Sequence, residues 1–218
     1  MTIYMFTGTP GSGKSYHQAE SLYYANRRGL PVIANFEVNR ELLKHPNNFY
    51  CKENIELTPE YLYKFGLDYL MLNPDAKEGS IKLFIDECGV IFNSRKWSDK
   101  DRAEWVRFML QHRKLKYDVY LVTQFADMVD KQIRSLVEYE IIHRKLNNVG
   151  WVGRFFNVLT LGRPIFVCVN YWYPMKQRLS AEFVLGRKKF YGMYDTDALF
   201  YETASELAGS LRVQSENS

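Results

Sequence analysis

The chain is short of cysteine, has no long unbroken apolar run and carries little excess charge of either sign. Its 218 residues include three cysteines, Cys51, Cys88 and Cys168, widely separated and without a C-x-x-C pair. That spacing excludes a disulfide framework and a cysteine-rich zinc module, and fits free thiols in a reducing cytoplasm. The four histidines, His17, His45, His112 and His143, also lack metal-ligand spacing. Met1 to Met5 has no charged n-region and runs straight into a motif, so no signal peptide is expected. The most apolar later stretch, Phe155 to Tyr173, is interrupted by Asn157, Gly162, Arg163, Pro164 and Asn170, too broken to span a bilayer. A net charge of +4, from 29 basic and 25 acidic residues, permits contact with nucleic acid or an anionic membrane without arguing for it. There is no internal repeat, low-complexity tract or linker. The expectation is a chain that is itself soluble.

What is present is a globular composition, 46% hydrophobic and 16% aromatic, long enough to bury a good core in one domain. Thr2 to Thr7 is a β-prone run ending at Gly8. A helical pattern follows from Ser15, with Arg27 and Arg28 in its last turn and Gly29 placed to stop it. Pro31 to Asn35 reads as the next strand. Strand, glycine loop, helix and strand open a parallel α/β fold. Residues 36 to 57 have no clear period. Thr58-Pro59-Glu60 opens a helix to about Leu72, and Ile81 to Ile85 is an apolar strand carrying one lysine. A long helix is predicted over residues 98–116, a strand over 118–123, and a helix over 125–137 with Phe125, Val129, Ile133 and Leu136 on one stripe. Strands are then predicted at 139–146, 165–173 and 183–191, so that 138–194 forms a strand-rich extension. A last helix is expected at 195–208, completing a domain of residues 1–208, and 209–218 is expected to fray.

Gly8-Thr9-Pro10-Gly11-Ser12-Gly13-Lys14-Ser15 fits the P-loop pattern G-x-x-x-x-G-K-[ST] at every position, between a predicted strand and a predicted helix. Its glycines let backbone N–H groups wrap phosphate oxygens, and the helix start aims its positive end at the same anion. Lys14 would reach the β- and γ-phosphates of ATP, and the Ser15 hydroxyl would ligate Mg²⁺. Asp86-Glu87 ends an apolar strand. Asp86 suits the magnesium, and Glu87 suits a base for the attacking water. Gln124 ends the following strand, where a side-chain amide can sense the γ-phosphate or position water. The order P-loop, acidic pair, polar strand end places an extra strand between the P-loop strand and the acidic strand. The expected fold is therefore a RecA-like, mainly parallel sheet flanked by helices, with additional C-terminal strands.

At 100° per residue along 98–116, Arg113 falls between Met109 and Val106 in the apolar arc, and Arg102 falls there too. A guanidinium on such a face needs a carboxylate, a phosphate or a neighbouring subunit as partner, so Arg113 is the first candidate to act in trans on an adjoining site. Arg95 and Arg134 stand behind it, since Asp130 offers Arg134 an ordinary helical ion pair. Arg187-Lys188-Lys189 reads as a solvated hairpin that can also face phosphates.

The Gly8–Ser15 loop, Ile85-Asp86-Glu87-Cys88-Gly89, and the stretch from His112-Arg113 through Asp118 to Leu121-Val122-Thr123-Gln124 together resemble the zonular occludens toxin (Zot) family. Ile133-Arg134-Ser135-Leu136 and Tyr191-Gly192-Met193-Tyr194-Asp195-Thr196 extend the likeness over the whole chain in order. The resemblance implies a filamentous-phage assembly and export ATPase related to the FtsK–HerA motors. It would act in the cytoplasm as a homo-oligomeric ring at the inner face of the host membrane, on single-stranded DNA and coat protein. Family members commonly continue into a transmembrane helix and an outer domain, so a membrane-attached partner or further chain would supply the anchor. Two other readings stay open, a P-loop nucleotide or nucleoside kinase and a non-hydrolysing assembly scaffold. Against the first, the cysteines cannot build a zinc lasso and no arginine-rich lid is visible.

Overall fold

A computed structural model describes residues 2–93, 99–146, 160 and 163–194. Eight strands form one sheet. β1 (Ile3–Thr7) leads through the glycine loop into α1 (Lys14–Arg27) and then β2 (Val32–Ala34). Gly29 ends α1 as expected: its φ is 80°, and its N–H donates to the Asn26 carbonyl at 2.8 Å. β3 (Phe49–Cys51) is followed by α2 (Pro59–Leu72), capped by the Thr58 hydroxyl, which accepts from the Tyr61 N–H. β4 (Ile81–Ile85), α3 (Cys88–Ile91), α4 (Asp99–Gln111), β5 (Tyr117–Val122) and α5 (Lys131–Arg134) come next. β6 (Tyr139–Lys145), β7 (Ile165–Trp172), β8 (Gln177–Leu185) and α6 (Lys188–Tyr191) complete the described elements.

The strand order is β3-β2-β4-β5-β1-β6-β7-β8. Pairing is parallel from β3 to β6, and β7 and β8 add antiparallel strands at one side. β5 lies between the acidic strand β4 and the P-loop strand β1, the extra-strand arrangement expected from the motif order. Alternation sorts the side chains onto two buried faces. Ile3, Met5, Leu83, Ile85, Val119 and Leu121 pack with Leu62, Trp105 and Phe108 of α2 and α4. On the other face Val32, Ala34 and Phe84 pack with Tyr16, Ala19 and Leu22 of α1. A row of stacked rings runs across four strands of that face, Phe84 on Tyr120 at 4.4 Å, Tyr120 on Tyr4 at 4.9 Å, and Tyr4 on Tyr139 at 5.9 Å. Each is a directly opposed cross-strand pair, so the row pins the β4-β5-β1-β6 register. Lys82, the one lysine of β4, is neutralised there by its cross-strand partner Asp118.

The structure corrects several expectations. The helix predicted to reach residue 116 stops at Gln111, and Lys116 turns into the left-handed region with φ 65°. The helix predicted over 125–137 is a 3-10 turn, Ala126–Met128, followed by the four-residue α5. Asp130 breaks it, because its carboxylate caps α5 by accepting the Gln132 N–H at 2.8 Å. That carboxylate also faces Arg102 at 3.6 Å, and Arg134 pairs with Asp127 instead of Asp130. The strand placed at 183–191 is β8, six residues earlier at its start, with α6 after it. Consequently Arg187-Lys188-Lys189 opens a helix, with Lys189 Nζ 3.7 Å from the Tyr23 ring centre, and is no hairpin. Arg95, the helix at 195–208 and the tail at 209–218 lie outside the described residues.

Candidate nucleotide site

Three glycines of the loop sit at positive φ, Gly8 at 145°, Gly11 at 71° and Gly13 at 102°. At two of them the surroundings also forbid a side chain. A Cβ on Gly8 would stand 2.5 Å from the His143 carbonyl oxygen, and one on Gly13 2.4 Å from the Phe166 ring. The loop is thus wedged between β1 and the strands β6 and β7. Lys14 is buried and donates to the carbonyls of Gly8 at 2.8 Å and Thr9 at 3.3 Å. Burial lowers its pKa, while Glu87 and Asp86 oppose that by their negative charge.

Asp86 and Glu87 follow β4 directly. The Asn35 side chain clamps the Asp86 backbone, accepting its N–H at 2.6 Å and donating to its carbonyl at 2.9 Å. One carboxylate oxygen of Asp86 accepts the Glu87 N–H at 2.9 Å, and the other accepts the Tyr194 hydroxyl. Burial raises the Asp86 pKa, partly offset by these two hydrogen bonds and by Lys14. Glu87 is exposed and held at φ 43°, a strained conformation for a non-glycine residue at the turn into α3. Gln124 follows β5 closely, and its carbonyl accepts the Gly8 N–H at 3.2 Å. The loop, Asp86, Glu87 and Gln124 therefore gather at the carboxyl ends of β1, β4 and β5, the edge where open α/β sheets bind ligands.

Beside this edge is a cavity of about 340 Å³, lined by Lys14 and Ser15 together with Phe166, Phe190, Tyr191, Tyr194 and Lys145. Two observations fit a phosphate group and a divalent cation here. The Ser12 hydroxyl is buried with no hydrogen-bond partner, next to a loop whose glycines admit close backbone approach. Asp86 is a carboxylate whose charge is disfavoured by burial, a state that a cation held with Ser15 would relieve.

Arg113 is not part of this assembly. It lies two residues beyond α4, its side chain is 61% exposed, and it pairs with Glu138 near the amino ends of β5 and β6. Its place on an apolar arc vanishes with the shortened helix. Asn35, Tyr194, Lys145 and Phe166 were missed as site residues. Tyr194 fell within a recognised motif, but nothing local ties it to Asp86, 108 residues away in sequence.

A second cavity, of about 600 Å³, lies between α1 and β6–β8 and is lined by His17, Glu20, His143, Cys168 and Glu182 among others. Burial pushes His17 down to about 4; burial, with His17 alongside, pushes His143 down to about 3. Both shifts favour the uncharged ring.

Comparison with known proteins places these features in a family. A family model described as zonular occludens toxin (Zot) matches residues 2–197. The Gene 1 proteins of Enterobacteria phage I2-2 and Salmonella phage IKe are each 31% identical over 215 residues, covering 92% of this chain and 58% of their own length. That of Enterobacteria phage M13 is 26% identical, covering 92% of this chain and 60% of its own. This chain thus spans less than two thirds of these curated relatives. Among solved structures, the N-terminal domain of zonular occludens toxin from Neisseria meningitidis superposes with a TM-score of 0.53 at 18% identity, covering 89% of this chain and 98% of that one. The DNA-packaging ATPase from Sulfolobus Turreted Icosahedral Virus gives a TM-score of 0.51 at 15% identity over 84% of this chain and 96% of that one, a likeness of fold. No helix among the described residues is long and apolar enough to cross a membrane. With the family model matched over nearly its whole length and the P-loop, acidic pair and strand order in place, this chain belongs to the zonular occludens toxin (Zot) family.

Proposed function

We propose that the chain binds ATP with Mg²⁺ and hydrolyses it as the motor of filamentous-phage assembly. Turnover would be coupled to extrusion of single-stranded DNA with coat protein at the host inner membrane, by a homo-oligomeric ring with a membrane-attached partner. The observation that carries the ATPase reading is the convergence of Lys14, Asp86, Glu87 and Gln124 on one sheet edge, with Gly8 tied to Gln124 and Asp86 clamped by Asn35. The phage direction comes from the family and from the Gene 1 relatives.

The backbone N–H groups of Gly11, Gly13, Lys14 and Ser15 would cradle phosphate oxygens, and Lys14 would neutralise the terminal phosphates. Ser15 and Asp86 would hold Mg²⁺, which when bound neutralises charge on the transferring phosphoryl group. Glu87, exposed and near enough for its charge to act on Lys14, would orient the attacking water and accept its proton. Gln124 is tied by its backbone to the first loop glycine, from where its side-chain amide would serve the same edge.

The test is ATP turnover by the purified chain, with and without single-stranded DNA. Lys14→Ala should abolish nucleotide binding, and Glu87→Gln should keep binding and lose turnover. Turnover by Glu87→Gln at the normal rate overturns the catalytic assignment. Transfer of phosphate to a nucleoside instead of water would make the chain a kinase. Binding without any turnover would make it a scaffold.

A further inference from the structure

His17 on α1, His143 on β6 and Cys168 on β7 come from three elements and offer ligand atoms that all lie within 4.8 Å of one another. The Cys168 sulfur stands 3.2 Å from His17 Nε2. His143 is 2% exposed, and its Nε2 has no hydrogen-bond partner. The other nitrogen of each ring faces a backbone carbonyl, His17 Nδ1 that of Gly13 at 3.1 Å and His143 Nδ1 that of Thr7 at 3.3 Å. Those contacts make Nδ1 the donor in both rings, leaving the His143 Nε2 lone pair unpartnered and that of His17 Nε2 facing the Cys168 thiol, an arrangement suited to metal-ligating histidines. An unpartnered buried ring nitrogen is costly in a folded protein, and a ligand that engages it removes the cost.

We propose that His17, His143 and Cys168 form a zinc site, separate from the nucleotide edge and absent from the reading of the chain as an ATPase. Two nitrogens and one sulfur are the donor set that Zn²⁺ takes, with bonds of about 2.0 Å to nitrogen and about 2.3 Å to sulfur. Tetrahedral angles at those lengths put nitrogen and sulfur about 3.5 Å apart, close to the His17–Cys168 spacing, so the longest separation must shrink by at most about 1.5 Å. The fourth position opens on the 600 Å³ cavity, where a water or a carboxylate fits. Glu20 lines it from α1, one turn beyond His17, and Glu182 from β8, directly opposite Cys168. On binding, the Cys168 thiol gives its proton to solvent and the thiolate joins the ion.

The placement gives such an ion a defined effect. It would staple α1, β6 and β7 together immediately behind the phosphate loop, since the carbonyls that orient the two rings belong to Thr7 and Gly13 at either end of that loop. Zinc here rigidifies the loop's seating and takes no part in the chemistry of hydrolysis.

Cobalt(II) substitution tests this with nucleotide and magnesium left out, so its failure is separable from failure of the ATPase reading. The chelator-stripped chain should take one equivalent of Co²⁺ with a tetrahedral visible spectrum and a near-ultraviolet thiolate-to-cobalt band. Excess Mg²⁺ should not displace the cobalt. Cys168→Ser should lose the thiolate band, and Cys51→Ser should keep it. His17→Gln, at a half-buried position on α1, should weaken cobalt binding by more than about tenfold. Zn²⁺ should raise the melting temperature of the unaltered chain and leave that of Cys168→Ser unchanged. Absence of a thiolate band in the unaltered chain overturns the site, whether or not the variants fold. So does a band that survives in Cys168→Ser.

Discussion

Gly11 and Gly13 both occupy positive φ, yet they should respond very differently to a single methyl group. At Gly11 no atom stands within 4 Å of an added Cβ, so Gly11→Ala meets only the backbone penalty, roughly 1 kcal/mol. At Gly13 the same methyl falls 2.4, 2.7 and 2.8 Å from three atoms of the Phe166 ring. Phe166 is itself 3% exposed and cannot swing away freely. Adding roughly 1–3 kcal/mol for overpacking gives about 3 kcal/mol for Gly13→Ala. At the size of this chain each kcal/mol lowers the melting temperature by about 2–4 °C, so the expected losses are about 3 °C and about 9 °C. Circular-dichroism melting measures both, and titration with a fluorescent ATP analogue measures the site. Gly11→Ala should bind within about tenfold of the unaltered chain, while Gly13→Ala, which shifts the first turn of α1, should bind more weakly than that. Phe166→Leu should recover part of the Gly13→Ala loss, with a coupling of about 1 kcal/mol in a double-mutant cycle. Equal destabilisation by the two alanines, or strict additivity with Phe166→Leu, would refute the claim that β7 bears on the phosphate loop.

Three more outcomes are expected. Burial holds the Asp86 carboxyl above its ordinary range, so its charge costs stability as pH rises through that range. Asp86→Asn should therefore melt higher than the unaltered chain at neutral pH without metal, lose that advantage near pH 3, and fail to turn over ATP. Lys82→Met strands Asp118, which among the described residues keeps the Thr2 N–H at 3.0 Å, and should cost about 3–5 kcal/mol by urea unfolding. Lys82→Met with Asp118→Leu should regain most of it. Arg113→Ala removes an exposed ion pair with Glu138 and should cost no more than about 1 kcal/mol. A thousandfold loss of turnover in that variant would reinstate Arg113 as an arginine acting on a neighbour.

The site was legible where its chemistry is local. The Gly8–Ser15 loop needs only consecutive residues between a strand and a helix, and Asp86-Glu87 and Gln124 announce themselves by ending apolar strands. Partners distant in sequence left no such mark: Asn35 and Tyr194 reach Asp86 only because β2 lies beside β4 and the chain returns near Val38. The zinc ligands escaped for the same reason, since no spacing rule links residues 17, 143 and 168. Periodicity also overran real helix ends. Residues 98–116 and 125–137 keep an apolar stripe past the points where Gln111 and Asp130 stop the backbone, because Leu115, Val129 and Ile133 are buried outside long helices. β3, three residues long, and β8, an edge strand with mostly exposed side chains, offer too little alternation to be placed by pattern.

The position of β1 in the sheet has a consequence for synthesis. β1, the earliest strand of this sequence, has both its neighbours, β5 and β6, at residues 117–122 and 139–145. At about 5–20 residues per second, β1 waits roughly 6 to 23 seconds for β5 with both edges unpaired, while β2, β3 and β4 can already join one another. The nucleotide loop that follows β1 has no wall until Phe166 of β7 has also emerged. A nucleotide bound at this loop would therefore assist only the late stage of folding. A chain cut before β6 would leave one edge of β1 open, so β1, made before β2 to β4, is secured on both sides only after them.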